Sequence, residues 1–181
     1  MLKRLEMCIN HARRVEGGQR SFTFESGLNV IAGPNGSGKS TILKAIYSCD
    51  RCSTIEEGET YFHYFNAETM NPATAEGPAN NMTNMTLRIR SLFSSHGQIM
   101  KQALTTMPIR QGDCLLVDEP ESGQDLDGVL KIVEGLEAIC EEGGQIIAAS
   151  HHPALWKGFN IIELSEGYAE DVRGKHRDIL E

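Results

Sequence analysis

Nine consecutive residues, Gly33-Pro34-Asn35-Gly36-Ser37-Gly38-Lys39-Ser40-Thr41, bring together three glycines, a lysine and three hydroxyls in an order suited to holding a phosphate chain. The glycines let the backbone curl until its N–H groups and the N-terminus of a following helix face one anion. Lys39 then reaches the terminal phosphates, and the Ser40 hydroxyl is placed to ligate magnesium. A plain glycine-rich turn is the alternative. The setting argues against it, because the apolar run Leu28-Asn29-Val30-Ile31-Ala32 precedes the stretch and a helical pattern follows it.

A second constellation is Leu115-Leu116-Val117-Asp118-Glu119, an apolar run that ends in two carboxylates. Adjacent acids can divide the labour of phosphoryl chemistry, with Asp118 in the magnesium shell and Glu119 polarising the attacking water as general base. Solvated acids at a strand end are the ordinary alternative. Thirty-two residues after Glu119, His151 follows the apolar run ending at Ser150. An imidazole at the C-terminal edge of a parallel sheet can donate to a γ-phosphate and so register its presence. A structural histidine is the competing reading, and His152 is the neighbouring candidate.

The elements that must position these groups alternate along the chain. Residues 2 to 9 and 20 to 25 alternate in the strand manner around a Gly17-Gly18 turn, which predicts a hairpin feeding the core strand 28 to 32. Lys39 to about Cys49 reads as a helix with Ile42, Leu43, Ile46 and Tyr47 on one face, and Tyr61 to Phe65 as an aromatic strand. Residues 71 to 90, rich in Pro, Gly and Asn over their first two thirds, predict a loop or reduced insertion. A helix from about Gln98 to Met107 leads into the buried strand Cys114 to Val117. The helix Asp125 to Glu142 then sets Leu126, Val129, Leu130, Val133, Leu136 and Cys140 at three- and four-residue steps. A strand ending at Ser150, a helical turn near Leu155, a strand from Phe159 to Leu164 and a charged tail, 166 to 181, complete the chain. Alternation of this kind predicts an α/β fold, a mostly parallel sheet flanked by helices with an antiparallel element at the N-terminus.

Composition sets the bounds. The 181 residues carry 17 Lys plus Arg and 25 Asp plus Glu, a formal charge of −8, with 40 % of positions apolar. One compact domain over 1–181 is expected, with a filled core. The longest apolar runs fall far short of the roughly 20 residues of a membrane helix. The N-terminal segment lacks an apolar signal stretch, so the expectation is a cytoplasmic protein without membrane insertion. The acidic balance opposes nonspecific nucleic-acid binding by a lone subunit. Residues 1 to 20 nevertheless hold Lys3, Arg4, Arg13, Arg14 and Arg20 with a local excess of +3, a solvated face or a binding surface. Five cysteines, at 8, 49, 52, 114 and 140, form no disulfide framework and suit a reducing compartment. Cys49 and Cys52 are the one close pair. A zinc site there would need two more ligands, and no second cysteine pair exists although His63 is within reach in sequence, so the reading is reduced thiols near a helix end, with metal or redox chemistry as the alternative.

With these motifs in place, the chain resembles the ATPase domains of the ABC type, a P-loop NTPase fold, in the branch that includes chromosome-maintenance and DNA-repair ATPases. Asp118-Glu119-Pro120-Glu121-Ser122-Gly123-Gln124-Asp125 is similar to that family's second Walker motif followed by its D-loop, with Asp125 in the terminal aspartate's place. His151 matches the switch histidine. Phe93-Ser94-Ser95-His96-Gly97-Gln98 resembles the signature motif, with Ser95, Gly97 and Gln98 in register and Ser94 and His96 departing from the usual leucine and glycine. A helix N-cap at Ser95 is the alternative there. The interval between Lys39 and Ser95, 56 positions, has no room for a transporter's helical subdomain or a coiled coil. The family's intervening glutamine is absent, with Asn66 and Glu68 as replacements, and no aromatic is evident for the adenine ring.

The resemblance implies hydrolysis of Mg-ATP in a head-to-tail homodimer. Each nucleotide would then meet residues 33 to 41 of one chain and Ser95, Gly97 and Asp125 of the other, with a conformational change as the output. Two other readings stand beside it, an energy-coupling subunit of a membrane transporter and a noncatalytic nucleotide switch. The intact Lys39, Ser40, Asp118 and Glu119 set speaks against the second.

Overall fold

The computed structural model describes residues 1–66 and 112–180. Five parallel strands form the centre: β3 (Leu28–Ala32), β5 (Tyr61–Asn66), β6 (Asp113–Asp118), β7 (Gln145–Ala149) and β8 (Asn160–Glu163), in the spatial order β5-β6-β7-β3-β8. A second sheet is antiparallel and joins β1 (Leu2–Glu6) to β2 (Ser21–Thr23) on one side and β4 (Ser53–Glu56) on the other. The described helices are α1 (Ile9–Ala12), α2 (Lys39–Ser48), α3 (Leu126–Glu141) and α4 (Tyr168–Leu180), with 3-10 turns at Glu16–Gly18 and Pro153–Trp156. The expected α/β architecture is present, antiparallel element included.

Every residue of β3, β6 and β7 is buried, which explains their continuous apolar runs: both faces of the sheet are covered. The period of two divides them between layers. Ile31, Cys114, Leu116, Ile147 and Ala149 pack with α2 and with Leu2, Leu5 and Phe22 of the antiparallel sheet. Val30, Leu115, Val117, Ile146 and Ala148 pack on the other side with Ile132, Leu136 and Ile139 of α3 and with Trp156. The buried Gln145 side chain connects the sheets: its Oε1 accepts from the Leu2 N–H at 2.7 Å, and its Nε2 donates to the Leu2 and Glu25 carbonyls, both at 2.8 Å.

Three local expectations are corrected, and the unassigned tail gains a structure. β1 and β2 do pair, with Arg4 opposite Thr23, but α1 and a 3-10 turn connect them in place of a tight hairpin, and β1 gains β4 as its second neighbour. On α2, Ile42, Leu43 and Ile46 are buried, whereas Tyr47 is exposed and stacks on Tyr64 at a centroid distance of 5.5 Å. The charged tail contains the helix α4, which turns Ala169, Tyr168 and Val172 toward the core. The buried line of α3 runs Val129, Ile132, Leu136, Ile139, while Leu126 and Leu130 stay 63 % and 46 % exposed. The expected face is therefore kept at Val129 and Leu136, with Val133 and Cys140 partly buried beside them, and is shifted so that Ile132 and Ile139 replace Leu126 and Leu130 against the sheet. The predicted loop at 71 to 90 and the predicted helix at 98 to 107 lie outside the described residues.

The α3 correction is testable by paired substitutions. Ile132→Ala should lower the unfolding free energy by about 2–4 kcal/mol, since it removes a fully packed side chain, and Leu130→Ala by less than about 0.5 kcal/mol. Urea melts of the two variants distinguish this face from the one the spacing suggests.

Candidate functional site

The loop between β3 and α2, residues 33 to 38, curls because Gly36 and Gly38 take φ of 81° and 101°, values that glycine alone adopts without strain. Gly38 has a second constraint. A Cβ there would sit 2.5 Å from the Arg14 carbonyl oxygen and 2.8 Å from Val15 Cα, so the segment after α1 lies directly against the loop. The Glu16 N–H donates to the Ser37 carbonyl at 2.9 Å and closes the same contact. Lys39 is buried, and its ammonium donates to the carbonyls of Gly33 (2.9 Å) and Pro34 (3.0 Å). Burial pushes the Lys39 pKa down, while the negative charges of Glu119, Glu121 and Asp118 push it back up.

Across the sheet edge, the Ser40 hydroxyl donates to Asp118 Oδ1 at 2.8 Å, so the loop and the end of β6 are already joined. Asp118 Oδ2 accepts from the Tyr64 hydroxyl (2.7 Å) and from Asn66 Nδ2 (3.2 Å). The Tyr64 phenol pKa is raised, first by burial and then by its bond to this carboxylate. Of the two proposed substitutes for the missing glutamine, Asn66 therefore lies against Asp118; Glu68 falls outside the described residues. Glu119 has φ 50°, the one left-handed non-glycine among the described residues, and its N–H donates to the Ala149 carbonyl at 2.9 Å. Strain at that position costs of order 1 kcal/mol and is held by the strand contact.

Beyond β7, Glu121 organises the next turn. Its buried Oε1 accepts from the Ser150 hydroxyl (2.8 Å) and the His151 N–H (2.9 Å), and lies 3.2 Å from His151 Nδ1. The His151 ring is half-exposed at the rim. His152 instead caps the 3-10 turn, accepting from the Ala154 N–H at 3.2 Å, and burial lowers its pKa. Asp125 is the N-cap of α3, its Oδ1 accepting from the Gly128 N–H at 2.8 Å. Ser95 and Gly97 lie outside the described residues. The structure thus gathers residues 33 to 41, Asp118, Glu119 and His151 at one edge of the sheet. Sequence reasoning missed three members of this edge, Tyr64, Ser150 and Glu121. Glu121 was seen only as a motif position, and no local sequence signal marks its contacts with Ser150 and His151.

The donor set at the loop is hard oxygen, a serine hydroxyl and a carboxylate within one hydrogen bond, which fits a small divalent cation of the magnesium type.

Comparison with known proteins agrees with this fold. The family model described as AAA domain matches residues 8–49. Among curated relatives, the ABC transporter F family member 5 of Arabidopsis thaliana is 30 % identical over 191 residues, covering 89 % of this chain and 27 % of its own length. The DNA double-strand break repair Rad50 ATPase of Nanoarchaeum equitans is 55 % identical over 29 residues, 16 % of this chain and 4 % of its own. The chain therefore spans about a quarter, or far less, of the length of these two relatives. Among solved structures, a metal-chelate type ABC transporter in an inward-facing conformation superposes with a TM-score of 0.56 at 15 % identity, covering 91 % of this chain and 79 % of that one.

The close approach at Gly38 yields a prediction. Gly38→Ala places a methyl group against the Arg14 carbonyl at a φ that disfavours it, and should cost about 2 kcal/mol or more of stability. Thermal melts check it, with Gly36→Ala, where a Cβ meets nothing within 4 Å, as the milder comparison.

Proposed function

Because the chain has the fold of the ABC-type P-loop ATPases, we propose that it binds Mg-ATP at residues 33 to 41 and hydrolyses it. The observation that supports this most is the joining of Ser40 to Asp118, which sets the magnesium-type oxygens beside the phosphate loop and one residue from Glu119. A bound magnesium ion, held by Ser40 and Asp118, would offset phosphate charge. The chain's own groups supply the rest. Lys39 exchanges its loop carbonyls for phosphate oxygens. Glu119, held in its strained conformation by β7, takes the proton of the attacking water. His151, oriented by Glu121 at the end of β7, meets the terminal phosphate.

In this reading the site is completed by a second copy, head to tail, through Ser95, Gly97 and Asp125, and the nucleotide joins the two chains until it is hydrolysed. The chain acts as one domain, 1–181, in the cytoplasm. A second reading is supported by the likeness to a metal-chelate type ABC transporter over 91 % of the chain: an energy-coupling subunit that works beside a membrane partner. No described helix is long and apolar enough to cross a membrane. Co-purification with membranes separates the two readings.

Nucleotide titration and phosphate release test the roles. Lys39→Ala should weaken ATP binding about ten- to a hundredfold, the value of a lost charge-assisted contact. Glu119→Gln should bind ATP within about threefold of the wild type and lose about a hundredfold or more in turnover. Equal loss of binding in both variants refutes the assignment. For the dimer, Ser95→Arg in the Glu119→Gln background should leave ATP binding intact and abolish the ATP-dependent rise in mass seen by light scattering.

A further inference from the structure

Four donor groups that the nucleotide site does not use meet at one corner of the molecule. Cys8 follows β1 and is the N-cap of α1, and His11 lies one turn later. Cys49 ends α2, and Cys52 immediately precedes β4. Because β4 pairs antiparallel with β1, with Ser53 opposite Glu6, the two turns arrive side by side. The three Sγ atoms and the His11 nitrogen all lie within 4.8 Å of one another, in half-buried positions. His11 Nδ1 is 3.3 Å from Cys8 Sγ and 3.5 Å from Cys52 Sγ. The Cys8 N–H donates to Cys52 Sγ at 3.3 Å, a backbone bond of the kind that supports a thiolate ligand. All five cysteines are free thiols.

We propose that Cys8, His11, Cys49 and Cys52 form a structural zinc site. Tetrahedral zinc with Zn–S near 2.3 Å and Zn–N near 2.0 Å has S···N edges of about 3.5 Å, so the observed separations already approach that geometry. Three soft thiolates and one imidazole select zinc over magnesium or calcium, and four protein ligands leave no open position for chemistry. The two pairs have the same spacing, Cys8-x-x-His11 and Cys49-x-x-Cys52, each a single turn that can present two donors to one ion. His63, the partner that sequence proximity suggests, is elsewhere, its Nε2 3.0 Å from Asp113 Oδ1.

The site's place in the fold defines its work. α2 carries Lys39 and Ser40 at one end and Cys49 at the other. The segment that leaves the site through His11 reaches Arg14 and Val15, which lie against Gly38. The ion therefore clamps the far end of the phosphate-loop helix to the segment that packs over the loop itself. This assignment is independent of ATP hydrolysis.

Metal analysis of the purified protein is the test. The wild type, prepared without chelator and passed through gel filtration, should hold about one zinc per chain by mass spectrometry, and Cys140→Ser should match it. Cys49→Ser/Cys52→Ser should fall below about one-tenth of that. Should the double variant fail to fold, cobalt decides on the wild-type chain: metal-free protein titrated with Co2+ should develop the visible bands of a tetrahedral site and a thiolate-to-cobalt charge-transfer band, saturating at about one equivalent. A zinc-selective chelator should lower the melting temperature of the wild type and leave that of a folded double variant unchanged. Wild-type protein without stoichiometric zinc and without the tetrahedral cobalt spectrum overturns the proposal, as does a Cys8–Cys52 or Cys49–Cys52 disulfide in protein kept under reducing conditions.

Discussion

One rung of the parallel sheet holds the site together. Asn66 pairs in register with Asp118, Asp118 with Ala149, Ala149 with Ile31, and Ile31 with Ile162, so a single line crosses all five strands. The groups to which the proposed chemistry is assigned stand on this line or within a few residues beyond it: Asn66, Asp118, Glu119, His151 and the loop that follows Ala32. Their mutual distances are set by strand separation, which backbone hydrogen bonding fixes near 4.8 Å. Side-chain bonds such as Ser40 to Asp118 follow from that spacing. A slip of one residue in any central strand would send its core face outward and move its terminal group off the line.

How much of this could be read from the sequence depended on burial. Strands 28 to 32, 113 to 118 and 145 to 149 were legible because both their faces are covered, which writes a continuous apolar run bounded by Gly and polar residues. The phosphate loop was legible because its glycines are demanded one by one. β4 was missed for the converse reason: Ser53-Thr54-Ile55-Glu56 is a four-residue edge strand with one apolar side chain, itself exposed, so no apolar period marks it and the β-preference of Thr54 and Ile55 alone is too short a signal. The α3 face was read correctly at Val129, Val133, Leu136 and Cys140 but set too far toward Leu126 and Leu130, because helical spacing fixes the stripe only to within one neighbouring row and the position of the sheet chooses the rest.

The charged residues show a different limit. Glu121 was seen as part of a motif, yet its work is done on Ser150 and His151, about thirty positions away. Cys49 and Cys52 were seen as a pair, but their neighbours Cys8 and His11 come from about forty positions upstream, and the pairing of β1 with β4 brings them there. Long-range partners of this kind carry no local signature. They become visible once strand order is known.

The Gln145 bridge has a consequence for the growing chain. It joins residues 143 positions apart, and β3, which leads into the phosphate loop, finds its sheet partners in β7 and β8, both more than a hundred residues downstream. On a ribosome adding about 5–20 residues per second, β3 waits on the order of ten seconds for its first neighbour. Through that interval Leu28, Val30, Ile31 and Ala32 lack the strand neighbours that cover them in the fold. A chain that stops before Gln145 has neither β7 nor β8 and therefore cannot complete the central sheet, so this fold is reached only after most of the chain has been made.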